Sequence, residues 1–197
     1  MKVIGVGCAP GLLTEEAVRA LQGARKVYGS RRAIEIARAA LPRFCEVHEI
    51  RDYTSLEIPE DAVLLSTGDP MLAGLGDRGR EVIPGISSLQ LAFARLRLPL
   101  ARASVVDGHG RDAAHAIADA MEEIQRGKIV FLLPDPSFPL ETLTGALKVG
   151  RIPCTIALCE DLGYPAERIA RGTPESPPIV RSRLFSFVIG NFRIQQI

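Results

Sequence analysis

The stretch Val63–Ser88, VLLSTGDPMLAGLGDRGREVIPGISS, constrains what this chain can fold into more than any other part of it. Its opening, Ala62-Val63-Leu64-Leu65, is a short continuous apolar run that stops at Ser66, Thr67, Gly68, Asp69 and Pro70, the pattern of a strand buried on both faces. A second apolar pair, Val82-Ile83, runs into Pro84-Gly85-Ile86-Ser87-Ser88. There Gly85 permits tight backbone and the serines can cap a helix starting near Leu89. Two strands therefore end in neighbouring loops rich in Gly, Ser and Asp. In an open α/β sheet a small-molecule crevice forms at such strand ends, and the functional site is expected here.

The flanking sequence supplies the rest of an α/β domain. Lys2–Gly7 reads as a strand entering the loop Cys8-Ala9-Pro10-Gly11, and Thr14 is a good N-cap with Glu15 and Glu16 in the positive first turn that follows. Lys26-Val27-Tyr28 reads as a strand closed by Gly29-Ser30, Arg31–Leu41 as a helix stopped by Pro42, and Phe44–Ile50 as a strand by alternation. This strand–helix–strand rhythm implies a parallel sheet with crossover helices. The segment GVGCAPG is not a dinucleotide fingerprint: its spacing is G-x-G-x-x-x-G, Pro10 sits in the turn, and no acidic residue closes a following strand at the required distance. A glycine turn and a ligand contact are equally compatible with that segment alone.

After the helix Leu89–Leu96, the segment Arg97-Leu98-Pro99-Leu100-Ala101 reads as a linker, which divides the chain into domains 1–101 and 102–197. The second half runs from strand Ala103–Val106 through the loop Asp107-Gly108-His109-Gly110-Arg111 to a helix capped by Asp112 and reaching about Arg126. Lys128–Leu133 and Cys154–Cys159 are strands, Phe138–Val149 a helix, Arg171-Gly172-Thr173-Pro174 a turn, and Leu184–Ile189 a closing strand. With 47% hydrophobic and 24% charged residues the composition is that of an ordinary globular protein, and a formal charge of +1 gives no nucleic-acid-sized basic surface. No apolar run reaches membrane-spanning length and none resembles a signal peptide, so a cytoplasmic protein without membrane or nucleic-acid partners is expected. Cys8, Cys45, Cys154 and Cys159 lack metal-site spacing and read as reduced thiols, with no metal implied.

GVGCAPG, STGDPML, VIPGISS and DGHGR occur in this order, and together they resemble the tetrapyrrole methylase family of S-adenosylmethionine-dependent enzymes. IPGISSLQLAFARLRLP, HGR and LGYPAERIARGT are most similar to the cobalamin-pathway branch that methylates C5 of precorrin-7 or cobalt-precorrin-7. The resemblance implies two α/β domains with the cofactor in the trough between them, and commonly a homodimer. It implies that Cys8, Gly68, Asp69, Leu72, Ser87 and Ser88 line the cofactor. A carboxylate against the sulfonium would favour the ground state over the charge-dispersed transition state, so Asp69 is assigned to binding and not to catalysis. The implied substrate is a carboxylate-rich macrocycle, for which an arginine fork is the suitable partner. Arg111 is the first candidate and Arg32 the second. His109, by its ordinary pKa, is the candidate base for any proton lost after methylation. The segment between Pro70 and Pro84 is shorter than the family usually has, which implies a truncated helix after the GDP motif. Related acceptors stay open, namely a sirohaem-type uroporphyrinogen methylation or the methylation of a protein side chain by a diphthine-forming enzyme, as does a non-catalytic cofactor-binding regulator.

Overall fold

The protein is described by a computed structural model that covers residues 1–53, 57–108 and 112–192. The chain forms two compact units, Met1–Ser88 and Leu89–Ile197. The sequence reading divides the chain after Ala101, and the compact units divide after Ser88, so that residues 89–101 fall with the second unit. The helix Ser88–Leu96 buries Leu91, Ala92, Phe93 and Leu96 along one apolar face.

In the first unit, β1 (Lys2–Gly5), β2 (Lys26–Gly29), β3 (Glu46–Glu49), β4 (Val63–Ser66) and β5 (Glu81–Ile83) form a wholly parallel sheet in the order β3-β2-β4-β1-β5. Register is set by apolar strands facing apolar strands, with Ile4 beside Leu65 and Val3 beside Val82. All four residues of β4 are buried, as its unbroken apolar run requires. Two helices, α1 (Glu15–Gln22) and α2 (Arg31–Ala37), contribute Ala17, Leu21, Ala33 and Ile34 to a core shared with Ile4, Val27 and Leu65. The opposite face is a smaller cluster of Val3, Leu64 and Ile50 with Tyr28, Tyr53 and Leu75 packed on it. Both helices start at capping side chains: Thr14 Oγ1, the expected cap, accepts from Ala17 N–H at 3.1 Å, and Ser30 Oγ accepts from Ala33 N–H at 3.2 Å. α2 is shorter than expected, since Arg38–Ala40 tightens into a 3-10 turn before Pro42. The third strand shrinks to Glu46–Glu49, an edge strand whose residues are all exposed. The helix after the GDP motif is the single turn α3 (Pro70–Ala73), followed by a 3-10 turn at Gly76–Arg78.

The second unit begins with α4 (Ser88–Leu96), which ends in a reversal where Leu98 N–H bonds the Phe93 carbonyl at 2.9 Å and Arg97 takes φ 55°. β6 (Ala103–Gly108), β7 (Ile129–Pro134), β8 (Thr155–Glu160), β9 (Arg168–Gly172) and β10 (Phe185–Gly190) form a second sheet in the order β6-β7-β10-β8-β9. Among the described residues β6 and β7 pair parallel and the remaining three pairings are antiparallel; the parallel sheet expected from the strand–helix–strand rhythm of the first segment is that of the first unit. The expected turn at Arg171-Gly172 is likewise corrected, because Arg168–Gly172 is a strand. Its sequence, RIARG, buries no residue fully and carries no apolar alternation, so pairing with β8 decides its conformation. α5 (Ala113–Gln125), capped by Asp112, and α6 (Leu140–Val149) lay Ile117, Ala120, Leu143 and Leu147 against Val130, Leu132, Ile156 and Phe187.

Among the described residues, one charged side chain is buried in the second unit. Glu160, 1% exposed at the end of β8, accepts from Arg168 Nε at 2.6 Å and from the backbone N–H groups of Arg181 and Ser182, the latter at 2.9 Å. Burial pushes its carboxyl up, but the two amides and Arg168 outweigh burial and hold it below the usual value of 4.5. The carboxylate thereby pins the connection between β9 and β10 to the sheet.

Candidate functional site

In the first unit, the loops at the carboxyl ends of β4, β1 and β5 meet at backbone distance. Val6 N–H bonds the Ser66 carbonyl at 2.9 Å, Gly68 N–H bonds the Gly7 carbonyl at 2.8 Å, and Cys8 N–H bonds the Ile86 carbonyl at 2.9 Å. The loop after β1 is thus stitched to the loop after β4 and to the loop after β5. Only glycine permits this closeness. A Cβ on Gly85 would lie 2.2 Å from the Gly68 carbonyl oxygen, and one on Gly5 would lie 2.5 Å from Gly85 N. Gly7 and Gly68 also hold left-handed backbone, with φ of 80° and 70°.

Asp69 closes the junction from the side. It is the N-cap of α3, with Pro70 at the first helical position, and one carboxylate oxygen accepts from Met71 N–H at 2.8 Å. Its other oxygen accepts from Gly85 N–H at 3.2 Å, which ties the GDP loop to the PGISS loop. An Asp-Pro turn is legible in sequence; its bond to an amide sixteen residues on is not. Leu72 is half-buried in the same turn, with its N–H on the Asp69 carbonyl at 3.2 Å. Ser87 is 3% exposed and Ser88, half-buried, opens α4. Where a Gly68 side chain would project, the nearest atom is the Ser87 Cα at 3.8 Å, so the wall between these residues is open backbone.

The structure therefore brings Cys8, Gly68, Asp69 and Ser87 into one junction within the first unit, and joins Arg32 to it: Arg32 Nη2 donates to the Cys8 carbonyl at 2.6 Å. His109 and Arg111 lie outside the described residues. Gly5, Gly7 and Gly85 belong to the junction as fully as the residues singled out from sequence, and the signal for them was the GVG and PGISS spacing. The other two histidines have partners of their own: His48 stacks on Tyr28 with ring centroids 4.5 Å apart, and His115 Nδ1 is 3.2 Å from Asp112. Among the described residues, no three His, Cys, Asp or Glu side chains stand together as a metal site, and no helix is long and apolar enough to cross a membrane.

Residues 2–177 match the sequence family described as Tetrapyrrole (Corrin/Porphyrin) Methylases. Among solved structures, the chain is similar to the cobalamin-biosynthetic precorrin-6Y methylase (cbiE) from Archaeoglobus fulgidus, at 30% identity over 96% of this chain and 97% of that one, with a TM-score of 0.75. It is also similar to the methyltransferase CobJ, at 17% identity over 100% of this chain and 95% of that one, with a TM-score of 0.76. A third is uroporphyrin-III C-methyl transferase from Thermus thermophilus complexed with S-adenosyl homocysteine, at 22% identity over 96% and 91% of the two chains and a TM-score of 0.70. The last two likenesses concern the fold. A search of curated proteins returned no match.

Proposed function

The chain belongs to the tetrapyrrole methylases and is an S-adenosylmethionine-dependent methyltransferase, and from that membership we propose that it methylates a corrin precursor in cobalamin biosynthesis, precorrin-7 or cobalt-precorrin-7 at C5. The observation that carries this substrate class is the likeness, along nearly the whole of both chains, to a cobalamin-biosynthetic methylase. The cofactor supplies the electrophilic methyl group.

What the protein's residues contribute is alignment. Holding a methyl donor in line with an attacking carbon is worth up to about 7–11 kcal/mol in favourable systems. In this reading Cys8, Gly68, Leu72, Ser87 and Ser88 form the cofactor wall. Asp69, with an oxygen on each of two loop amides, keeps that wall in shape and offers its remaining lone pairs to polar groups of the cofactor. The loops reach this shape through backbone contacts already made, so binding spends little on ordering them. Arg111 pairs with ring carboxylates, and His109 accepts the proton released from the methylated carbon. Assembly as a homodimer and a cytoplasmic location belong to the same reading.

Calorimetric titration with S-adenosylmethionine and S-adenosyl homocysteine, followed by methyl-transfer assays on separate acceptors, tests it. Both ligands are expected to bind, with methyl transfer to precorrin-7 or cobalt-precorrin-7. Transfer to uroporphyrinogen or to a protein acceptor in preference to the corrin precursor refutes the substrate assignment. Cofactor binding without transfer to any tetrapyrrole refutes the enzymatic one.

A further inference from the structure

We propose that Arg32 is a positioning residue, which grips the Cys8 carbonyl and so fixes the loop after β1 in the shape that receives the cofactor. The inference rests on the reading that this loop forms part of the cofactor wall.

The sequence places Arg31 and Arg32 in the first turn of α2, the positive end of a helix with no acidic residue there to offset them. Helix stability does not account for this pair. The two arginines also part company. Arg31 Nε bonds Glu35 at 3.0 Å, with both side chains largely exposed. Arg32 is half-buried and reaches the backbone of a loop 24 residues away, with Nη2 at 2.6 Å from the Cys8 oxygen. A charged donor on a carbonyl makes one of the stronger hydrogen bonds available to a loop.

That carbonyl matters because of what surrounds it. Cys8 N–H is already held by the Ile86 carbonyl, so the residue is fixed on one side by the PGISS loop and on the other by Arg32. Beyond it the chain passes through the exposed Pro10 and through Gly11 at φ 81°, where a side chain would meet nothing within 4 Å. The grip therefore stands where the loop leaves the interlocked junction for open surface. Without it, the loop loses its tie to α2. Arg32 is also the second candidate for pairing with ring carboxylates; its bond to the Cys8 carbonyl gives it a role on the cofactor side, which the two constants below separate from ring binding.

The two roles differ in which constant they move. The test uses the full chain and the variants Arg32→Ala, Arg32→Gln and Arg32→Lys, with S-adenosyl homocysteine affinity by calorimetry, steady-state constants for both substrates, and amide exchange of the loop around Cys8. Arg32→Ala is expected to weaken S-adenosyl homocysteine about tenfold, the size of one lost charge-assisted hydrogen bond. The KM for S-adenosylmethionine should rise in step, while kcat and the KM for the ring stay near wild type. Arg32→Lys, which keeps a charged donor, should recover most of the affinity, and loop exchange should quicken in Arg32→Ala without ligand. Where Arg32→Ala fails to fold, the Gln and Lys pair carries the comparison. A raised KM for the ring alone, or unchanged affinity with unchanged exchange, overturns the proposal. Faster loop exchange in a protein whose wild type does not bind S-adenosyl homocysteine instead overturns the cofactor reading and leaves the grip itself standing.

Discussion

Replacing Glu160 by Gln isolates the contribution of the buried carboxylate that pins the β9–β10 connection. Gln has the same shape, but its amide has only one acceptor atom. Turned one way, it presents an NH2 to Arg168 Nε; turned the other, it presents that NH2 to the amides of Arg181 and Ser182. Donor meets donor in both cases. Breaking a fully buried charge pair costs about 3–5 kcal/mol. Arg168 is 32% exposed, so water recovers part of its loss, and about 2–4 kcal/mol is expected for the variant. For a chain of this size unfolding as one, each kcal/mol moves the midpoint about 2–4 °C, which gives a drop of about 4–16 °C. Calorimetry should show it, and amide exchange in β8 and β10 should assign it.

The pH dependence supplies a second check. Because the folded carboxyl of Glu160 lies below its usual value of 4.5, its stabilisation is complete above that pH and is lost as pH falls through the depressed folded value. The variant has no such group, so the gap between it and wild type should narrow under acid. A midpoint shift smaller than about 2 °C at pH 7, or a gap that widens under acid, refutes the reasoning.

Two further outcomes are expected. Arg97 and Arg151 hold φ of 55° and 50° just beyond α4 and α6, so Arg97→Gly and Arg151→Gly should each stabilise by about 0.5–1 kcal/mol in urea titrations, since glycine carries no Cβ penalty there. Burial raises the thiol of Cys159 to about 12 and that of Cys154 to about 11, so alkylation near pH 8, mapped by mass spectrometry, should modify the more accessible Cys45 first and Cys159 last.

Much of this fold was legible because local chemistry and tertiary packing agree. Thr14 and Asp112 cap the helices their side chains announce, and the apolar runs of β4 and β7 leave no alternative to buried strands. The misreadings fall where only distant contacts decide. RIARG becomes β9 because β8 offers it a ladder, and the order that inserts β10 between β7 and β8 leaves no trace in any single segment. The site divides the same way. Glycine and serine spacing marked the GDP and PGISS loops, whereas the bond from Asp69 to Gly85 and the reach of Arg32 to Cys8 join positions that no short window contains.

The placement of β10 bears on how the protein is made. Vectorial synthesis delivers β6 to β9 first, yet β7 and β8 have no common ladder until Phe185–Gly190 slides between them. A nascent chain that has emerged only through β9 carries two half-sheets with raw apolar flanks. Closure of the second half must therefore wait for that late segment.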